Sequence, residues 1–325
     1  MKFIVLLGLI ALCFVLAGRD PALFADGENY AEYVELVLSG VDVHAEPSFH
    51  LIVEQIGELG LYGVFLIYLV FGFFLKGVYF LFKMPGNFHL ILIYLTSYFV
   101  IHDMVQIRVG AALGLALWAV HHLGERNIFI ALALLIASFF IHFSVAILAI
   151  FSIFIYAVDS GKIKGLTVVW LGYALLLMSC VLLVLVFLFN FSFLDILANL
   201  LDQYDILPKR YVDNYLELDD LIGVSKIAYI FVLAFIALYA LRQGLLLTFV
   251  ARHAALSLIF ASLILIAFRN IPVIGARIAD TFIFFAPLML FGLYFTKPIF
   301  GRVVFFSMLT VQVVNLAFFS TVIRL

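Results

Sequence analysis

Between Leu166 and Asn190 the chain runs for 25 residues, LTVVWLGYALLLMSCVLLVLVFLFN, without a single charged side chain. A helix crossing a bilayer needs about 20 apolar residues, and this run supplies them. The run is apolar on every side. The strands of a membrane β-barrel would instead alternate polar and apolar at every second position. Similar runs recur along the 325 residues, which are 67% hydrophobic and only 12% charged. A soluble domain is nearer half apolar and a quarter charged. Thirty-seven Phe and fifteen Tyr exceed what one water-soluble core can pack, so lipid is the solvent for most of this surface. The expected fold class is an all-α polytopic integral membrane protein with about 10–11 transmembrane helices, forming a single transmembrane domain over residues 1–325.

Spans are expected near 3–18, 59–75, 88–105, 109–123, 128–141, 143–157, 166–190, 226–241, 254–268, 281–295 and 303–321. The run Asn127 to Ala157 is too long for one straight helix, and it holds His142 and Ser144 near its middle. It reads as two short helices meeting at His142. The first apolar run, behind Met1-Lys2, reads as an uncleaved first helix, since a membrane protein this hydrophobic needs no removable signal, and bulky Leu12 before Cys13 disfavours a lipoprotein cleavage site. Cys13 and Cys180 both lie in apolar runs and read as small buried residues, not as a disulfide.

Lys and Arg bias sets the orientation. With the N-terminus inside, one alternation of spans sends ten of the 18 basic residues to the cytoplasmic side, Lys76, Lys83, Arg126, Lys162 and Arg252 among them. That side receives only Glu125 and Asp159 of the 20 acids, so the outer side holds eighteen acids against eight bases. Two long outer loops follow, about 19–58 and 191–225. In the first, Gly27 to Leu38 has an amphipathic helical pattern with Tyr30, Tyr33 and Val37 on one side, as in a helix lying on the membrane surface. The net charge of −2 gives no reason to expect a nucleic-acid partner.

Ionisable groups at membrane depth are expensive, which makes each a functional candidate. On the outer side these are Asp103, Arg108, His142, Arg269, Arg277 and Asp280. A lone Arg at a span end can simply snorkel to lipid phosphate. Against that, several arginines cluster at span ends in an otherwise acidic half, and a guanidinium fork grips phosphate bidentately as lysine does not. Such a basin suits a ligand with a diphosphate head and a neutral or hydroxylated body. Arg108, Arg277, Arg269 and Asp103 are therefore substrate-binding candidates. The candidates for a general base are Glu46, Asp26 and His142. His142 stands alone in FFIHFS and reads equally as a packed histidine pinning two helices. Asp26-Gly27-Glu28 has the spacing of a weak metal-binding pair, but no metal is assigned. No phosphate-binding Gly-Lys loop, GxSxG, HExxH or CxxC is present, which argues against an ATPase, a serine hydrolase or a zinc peptidase.

The residues Arg19, Asp26, Tyr30 and Tyr33, then Glu46-Pro47-Ser48-Phe49, then IRVGAALGLALWAVHHLGERNIFIALALLIASFFIHFSVAIL with Arg108 near its start, and later Arg277-Ile278 with Phe282, form an ordered pattern. In this the chain resembles the EpsG family of bacterial exopolysaccharide and capsule proteins, Wzy-like polysaccharide polymerases. The resemblance implies a membrane glycosyltransferase that joins oligosaccharide repeat units carried on polyprenyl diphosphate at the periplasmic face of the inner membrane. It adds Arg19 and Tyr30 to the substrate-binding candidates. It implies no cofactor, a lipid-linked oligosaccharide and membrane lipid as partners, and a place beside polysaccharide export and chain-length proteins. Two other readings stay open. One is a metal-dependent polyprenyl-phosphate-sugar transferase or O-antigen-type ligase, and the other a flippase for lipid-linked oligosaccharides.

Overall fold

The computed structural model describes residues 2–20, 27–41, 46–84, 91, 94–95, 106–163, 167–189, 224–269 and 272–314. Among them the chain is helical, with no strand. Six helices are long and apolar enough to cross a membrane: Gly60–Lys83, Ile107–Gly124, Val168–Leu188, Val224–Arg242, Phe249–Ala267 and Gly275–Thr296. Shorter apolar helices cover Lys2–Ala17, Ile128–Ile141, Val145–Asp159 and Ile299–Val311. The protein is an all-α polytopic membrane protein. It divides into two compact units, residues 1–150 with 298–325, and residues 151–297.

The first unit contains α1 (Lys2–Ala17), α2 (Gly27–Leu38), α3 (Pro47–Ile56), α4 (Gly60–Val78), α5 (Ile107–Gly124) and α6 (Ile128–Ile141). The start of α7 (Val145–Asp159) also belongs to it. At its centre is α5, whose small residues Gly110, Ala111, Ala112, Gly114, Ala116 and Ala119 are buried. In lipid, close backbone approach replaces the hydrophobic effect as the force between helices, and small residues permit it. A Cβ on Gly114 would sit 3.1 Å from Leu75 Cβ of α4. Two polar bonds lock the neighbours in place. Trp118 Nε1 donates to the Leu75 carbonyl (2.9 Å), and Ser138 Oγ of α6 donates to the Ala112 carbonyl (2.8 Å). Helix α4 also carries α1, α2 and α3, and α3 touches α6 as well. The N-terminus of α3 is thereby held among α4, α5 and α6.

Three expectations are corrected in this unit. Helix α4 does not stop at residue 75 but runs on to Val78 and closes in a π-helical turn, Tyr79–Lys83. Lys76, sorted by charge to a membrane face, is instead fully buried in α4 with its Nζ 5.4 Å from the Tyr94 ring centroid. Helix α2 forms where expected but does not lie free on a surface. It packs on α3 and α4 through Gly27, Tyr30 and Val34, a face rotated from the Tyr30, Tyr33, Val37 stripe. Nearly all of the expected span 88–105 lies outside the described residues.

The second unit contains the rest of α7, α8 (Val168–Phe189), α9 (Val224–Arg242), α10 (Phe249–Ala267), α11 (Pro272–Ile283) and α12 (Ala286–Thr296). Helix α10 is its centre and packs on α8, α9, α11 and α12. It begins five residues before the expected 254. Thr248 caps it, accepting the Ala251 N–H (3.2 Å), and Asp159 neutralises Arg252 through two bonds of 2.7 and 2.8 Å. The expected span 281–295 falls inside the longer apolar span Gly275–Thr296, which is interrupted by a turn. Pro272 opens α11, which extends past Arg277 and Asp280, and the chain turns at Phe284–Phe285 before α12 begins at Ala286 with Pro287 in its first turn. The final helix, α13 (Pro298–Val314), starts five residues ahead of its expected position and is assigned to the first unit.

Candidate functional site

Glu46 is the N-cap of α3, followed by Pro47 at the first helical position. Its carbonyl accepts the Phe49 N–H (2.9 Å), which fixes the backbone turn. Its carboxylate makes no capping bond to its own helix. It reaches across to α5 and to the end of α6 instead. Arg108 Nη1 donates to Oε2, and His142 Nδ1 bonds Oε1. Three groups separated by 62 and 96 residues in sequence thus meet at one carboxylate.

Each partner is aimed by its own element. Arg108 is the second residue of α5, and the small residues behind it let that helix end sit deep in the bundle. His142 closes α6 in an extended conformation (φ −156°, ψ 120°), with its N–H still bonded to the Ser138 carbonyl (3.0 Å). This break turns the imidazole out of the helix path and towards Glu46. The run Asn127 to Ala157 is therefore two helices meeting at His142, as its length demanded.

The carboxylate is only 5% exposed. Burial opposes its ionisation, but the His142 hydrogen bond and the Arg108 charge together outweigh burial and draw its pKa down to about 2. Glu46 is therefore an anion at neutral pH. It is well suited to fixing an imidazole and stabilising the imidazolium that forms when the ring takes a proton, as the carboxylate of a hydrolase triad does.

Aromatic rings build the surrounding wall. The Arg108 guanidinium carbon lies 5.2 Å from the Tyr30 ring centroid and 5.1 Å from that of Phe49. The Tyr30 hydroxyl also bonds the guanidinium. Tyr30 meets Phe65 edge-on, and the Arg19 guanidinium lies 5.4 Å from the Phe65 centroid. Burial lowers the Arg19 pKa to about 10, so Arg19 remains a cation at neutral pH. Ser48 Oγ and the Tyr68 hydroxyl bond each other at 3.1 Å and tie the first turn of α3 to α4. Arg108 Nε and, next to the site residues in the chain, Gln106 Oε1 and Ser144 Oγ are buried with no hydrogen-bond partner among the described residues. Buried donors and acceptors are nearly always satisfied, and Arg108 Nε is the exception nearest the Glu46 carboxylate among the described residues.

Five of the residues singled out from sequence therefore converge: Arg19, Tyr30, Glu46, Arg108 and His142. Arg269 and Arg277 belong to the second unit. Arg277 lies half-buried within α11, two residues from the start of the apolar span Gly275–Thr296. Asp280 is engaged by Lys226 Nζ at 3.1 Å. Asp26 and Asp103 lie outside the described residues. Sequence reasoning passed over Tyr68 and Phe65, because aromatics in an apolar span carry no mark of their own, and Ser48, an ordinary loop hydroxyl by composition.

The model of the EpsG family matches residues 2–324. The chain belongs to the EpsG family. The match takes in both units and every residue of the site, and family membership supports polysaccharide polymerisation as the general function. No curated protein and no solved structure matches this EpsG-family chain.

Proposed function

We propose that this EpsG-family protein joins oligosaccharide repeat units carried on polyprenyl diphosphate, with its site at the periplasmic face of the inner membrane. The observation that carries this reading is the single carboxylate, Glu46, held by both Arg108 and His142. With Nδ1 on Glu46, the imidazole keeps Nε2 for the substrate. The acceptor sugar hydroxyl gives its proton to Nε2 as its oxygen attacks the anomeric carbon of the donor. The bond from that carbon to the diphosphate oxygen breaks, and the polyprenyl diphosphate leaves with the electron pair. Arg108 and Arg19 neutralise the charge that develops on it. Glu46 acts through His142 and Arg108 and is a positioning residue. Tyr30 and Phe49 are buried against the Arg108 guanidinium and hold it in place. The driving force is the diphosphate leaving group, so no nucleotide is needed.

The test is Arg108→Lys. An ammonium cannot hold Glu46, Tyr30 and a phosphate oxygen in one plane. Polymer made by cells at matched protein level is expected to fall about 10²-fold, the effect of losing one stabilising donor for transition-state charge. Wild-type polymer from Arg108→Lys would remove the guanidinium from the reaction.

The orientation rests on the sorting of charge, and each of three ion pairs joins two residues sorted to the same side. Glu46–Arg108 and Lys226–Asp280 join residues sorted to the outer side, and Asp159–Arg252 joins residues sorted to the inner side. Ser39 and Ser160 are both exposed and fall on opposite sides in this scheme. A cysteine at position 39 is expected to react with an impermeant thiol reagent added outside, and one at 160 to be protected. The reverse pattern would invert the topology.

A further inference from the structure

In the second unit a cavity of about 610 Å³ runs between α8 and α9, within the range of about 300–1,000 Å³ of small-molecule sites. Its lining is wholly apolar, with Val184, Phe187 and Leu188 on one wall and Ala228, Phe231 and Val232 on the other. Most of these side chains are exposed, so the groove opens along the lipid-facing side of the two helices. One end differs from the rest. Arg269, just past the end of α10, stacks its guanidinium 4.2 Å from the centroid of Phe187, a lining residue. Its Nε is buried with no hydrogen-bond partner, and it makes no ion pair, among the described residues.

A cation stacked on the lining at the end of an apolar trough, with no counter-charge among the described residues, matches an amphiphile with a phosphate head and a long hydrocarbon tail. A boundary phospholipid has the head but must also place a second chain. A polyprenyl phosphate or diphosphate has one chain and more negative charge. The geometry points to a polyprenyl-phosphate site, with the isoprenoid chain in the α8–α9 groove and its phosphate on Arg269. This rests on the polymerase reading in one respect. Joining two lipid-linked units consumes the diphosphate bond of one substrate only, so the other remains lipid-anchored through the step and needs a hold of its own.

The experiment uses the full-length protein in phosphatidylcholine nanodiscs with a polyprenyl phosphate that carries a photoreactive diazirine in its tail. Cross-linked protein is digested with trypsin and mapped. The label is expected in the peptide Ile227–Arg242, which supplies one wall of the groove. Unlabelled polyprenyl phosphate should compete, while uncharged polyprenol and phosphatidylglycerol at equal concentration should compete at least ten-fold less well. Arg269→Gln should cut labelling about ten-fold, in line with losing a charge-assisted bond. Ala228→Trp, which fills the groove from the exposed side of α9, should abolish it. Equal competition by phosphatidylglycerol would show an ordinary boundary-lipid surface and overturn the proposal. So would a label mapping elsewhere in the wild-type protein, a result that needs no variant to fold. The readout involves no sugar transfer. Groove labelling without polymerase activity would sink the polymerase reading alone, and polymerase activity without groove labelling would sink this site alone.

Discussion

Glu46→Gln is expected to stop polymer formation and to loosen the first unit at the same time. Glutamine keeps the size of glutamate but not the charge. Arg108, with a side chain only 14% exposed, is then left as a buried cation without its counter-charge. Breaking one half of a buried pair costs about 3–5 kcal/mol. The depressed pKa of Glu46 points the same way, because the His142 hydrogen bond and the Arg108 charge outweigh its burial. The sign follows from the direction of the shift. The folded pKa lies below the unfolded one, so this stability is fully present above about pH 4.5 and is lost as pH falls through about 2. Thermal unfolding of the purified wild type should therefore show a decline between those values that Glu46→Gln lacks. Equal melting temperatures for wild type and variant at neutral pH would mean that the Glu46–Arg108 contact contributes nothing to the fold.

His142→Gln separates chemistry from architecture. The Gln amide can still donate to Glu46, so the carboxylate keeps both partners and the first unit should melt close to wild type. It cannot accept and release a proton near neutral pH. Loss of a general base lowers rates by about 10²–10⁴-fold, and single repeat units should accumulate on the carrier lipid while the protein level stays normal. Full-length polymer from His142→Gln would leave the imidazole with a purely structural role, pinning the junction of α6 and α7.

The membrane class and most of the helices can be read directly from the apolar runs, because a lipid-exposed helix must be apolar all round and about 20 residues long. Boundaries are misread where charge interrupts a run. Arg252 looks like a span end, yet Asp159 neutralises it and α10 begins three residues earlier. Thr248 was the available signal for the earlier start of α10, a β-region cap three residues before the amide that it accepts. Lys76 is misplaced for the same reason, since hydropathy takes any lysine to be at an interface. The site is half legible. A carboxylate, a guanidinium and an imidazole in so apolar a chain each stand out by cost. Their pairing does not, because Glu46 meets Arg108 and His142 through tertiary packing, with no shared helix face or short spacing to announce it. The buried face of α2 is legible only in part: Tyr30 is on it, but helix–helix packing selects Gly27 and Val34 over Tyr33 and Val37.

The most direct measurement is made with purified protein in bilayers supplied with one substrate, a polyprenyl-diphosphate-linked oligosaccharide, and no nucleotide sugar. The wild type is predicted to produce a ladder of lipid-linked products that differ by one repeat unit and to release one polyprenyl diphosphate for each bond formed. His142→Gln under the same conditions should leave the single unit unreacted. Substrate that crosses the bilayer unchanged, or a ladder of equal length from both proteins, would contradict a polymerase built on Glu46, Arg108 and His142.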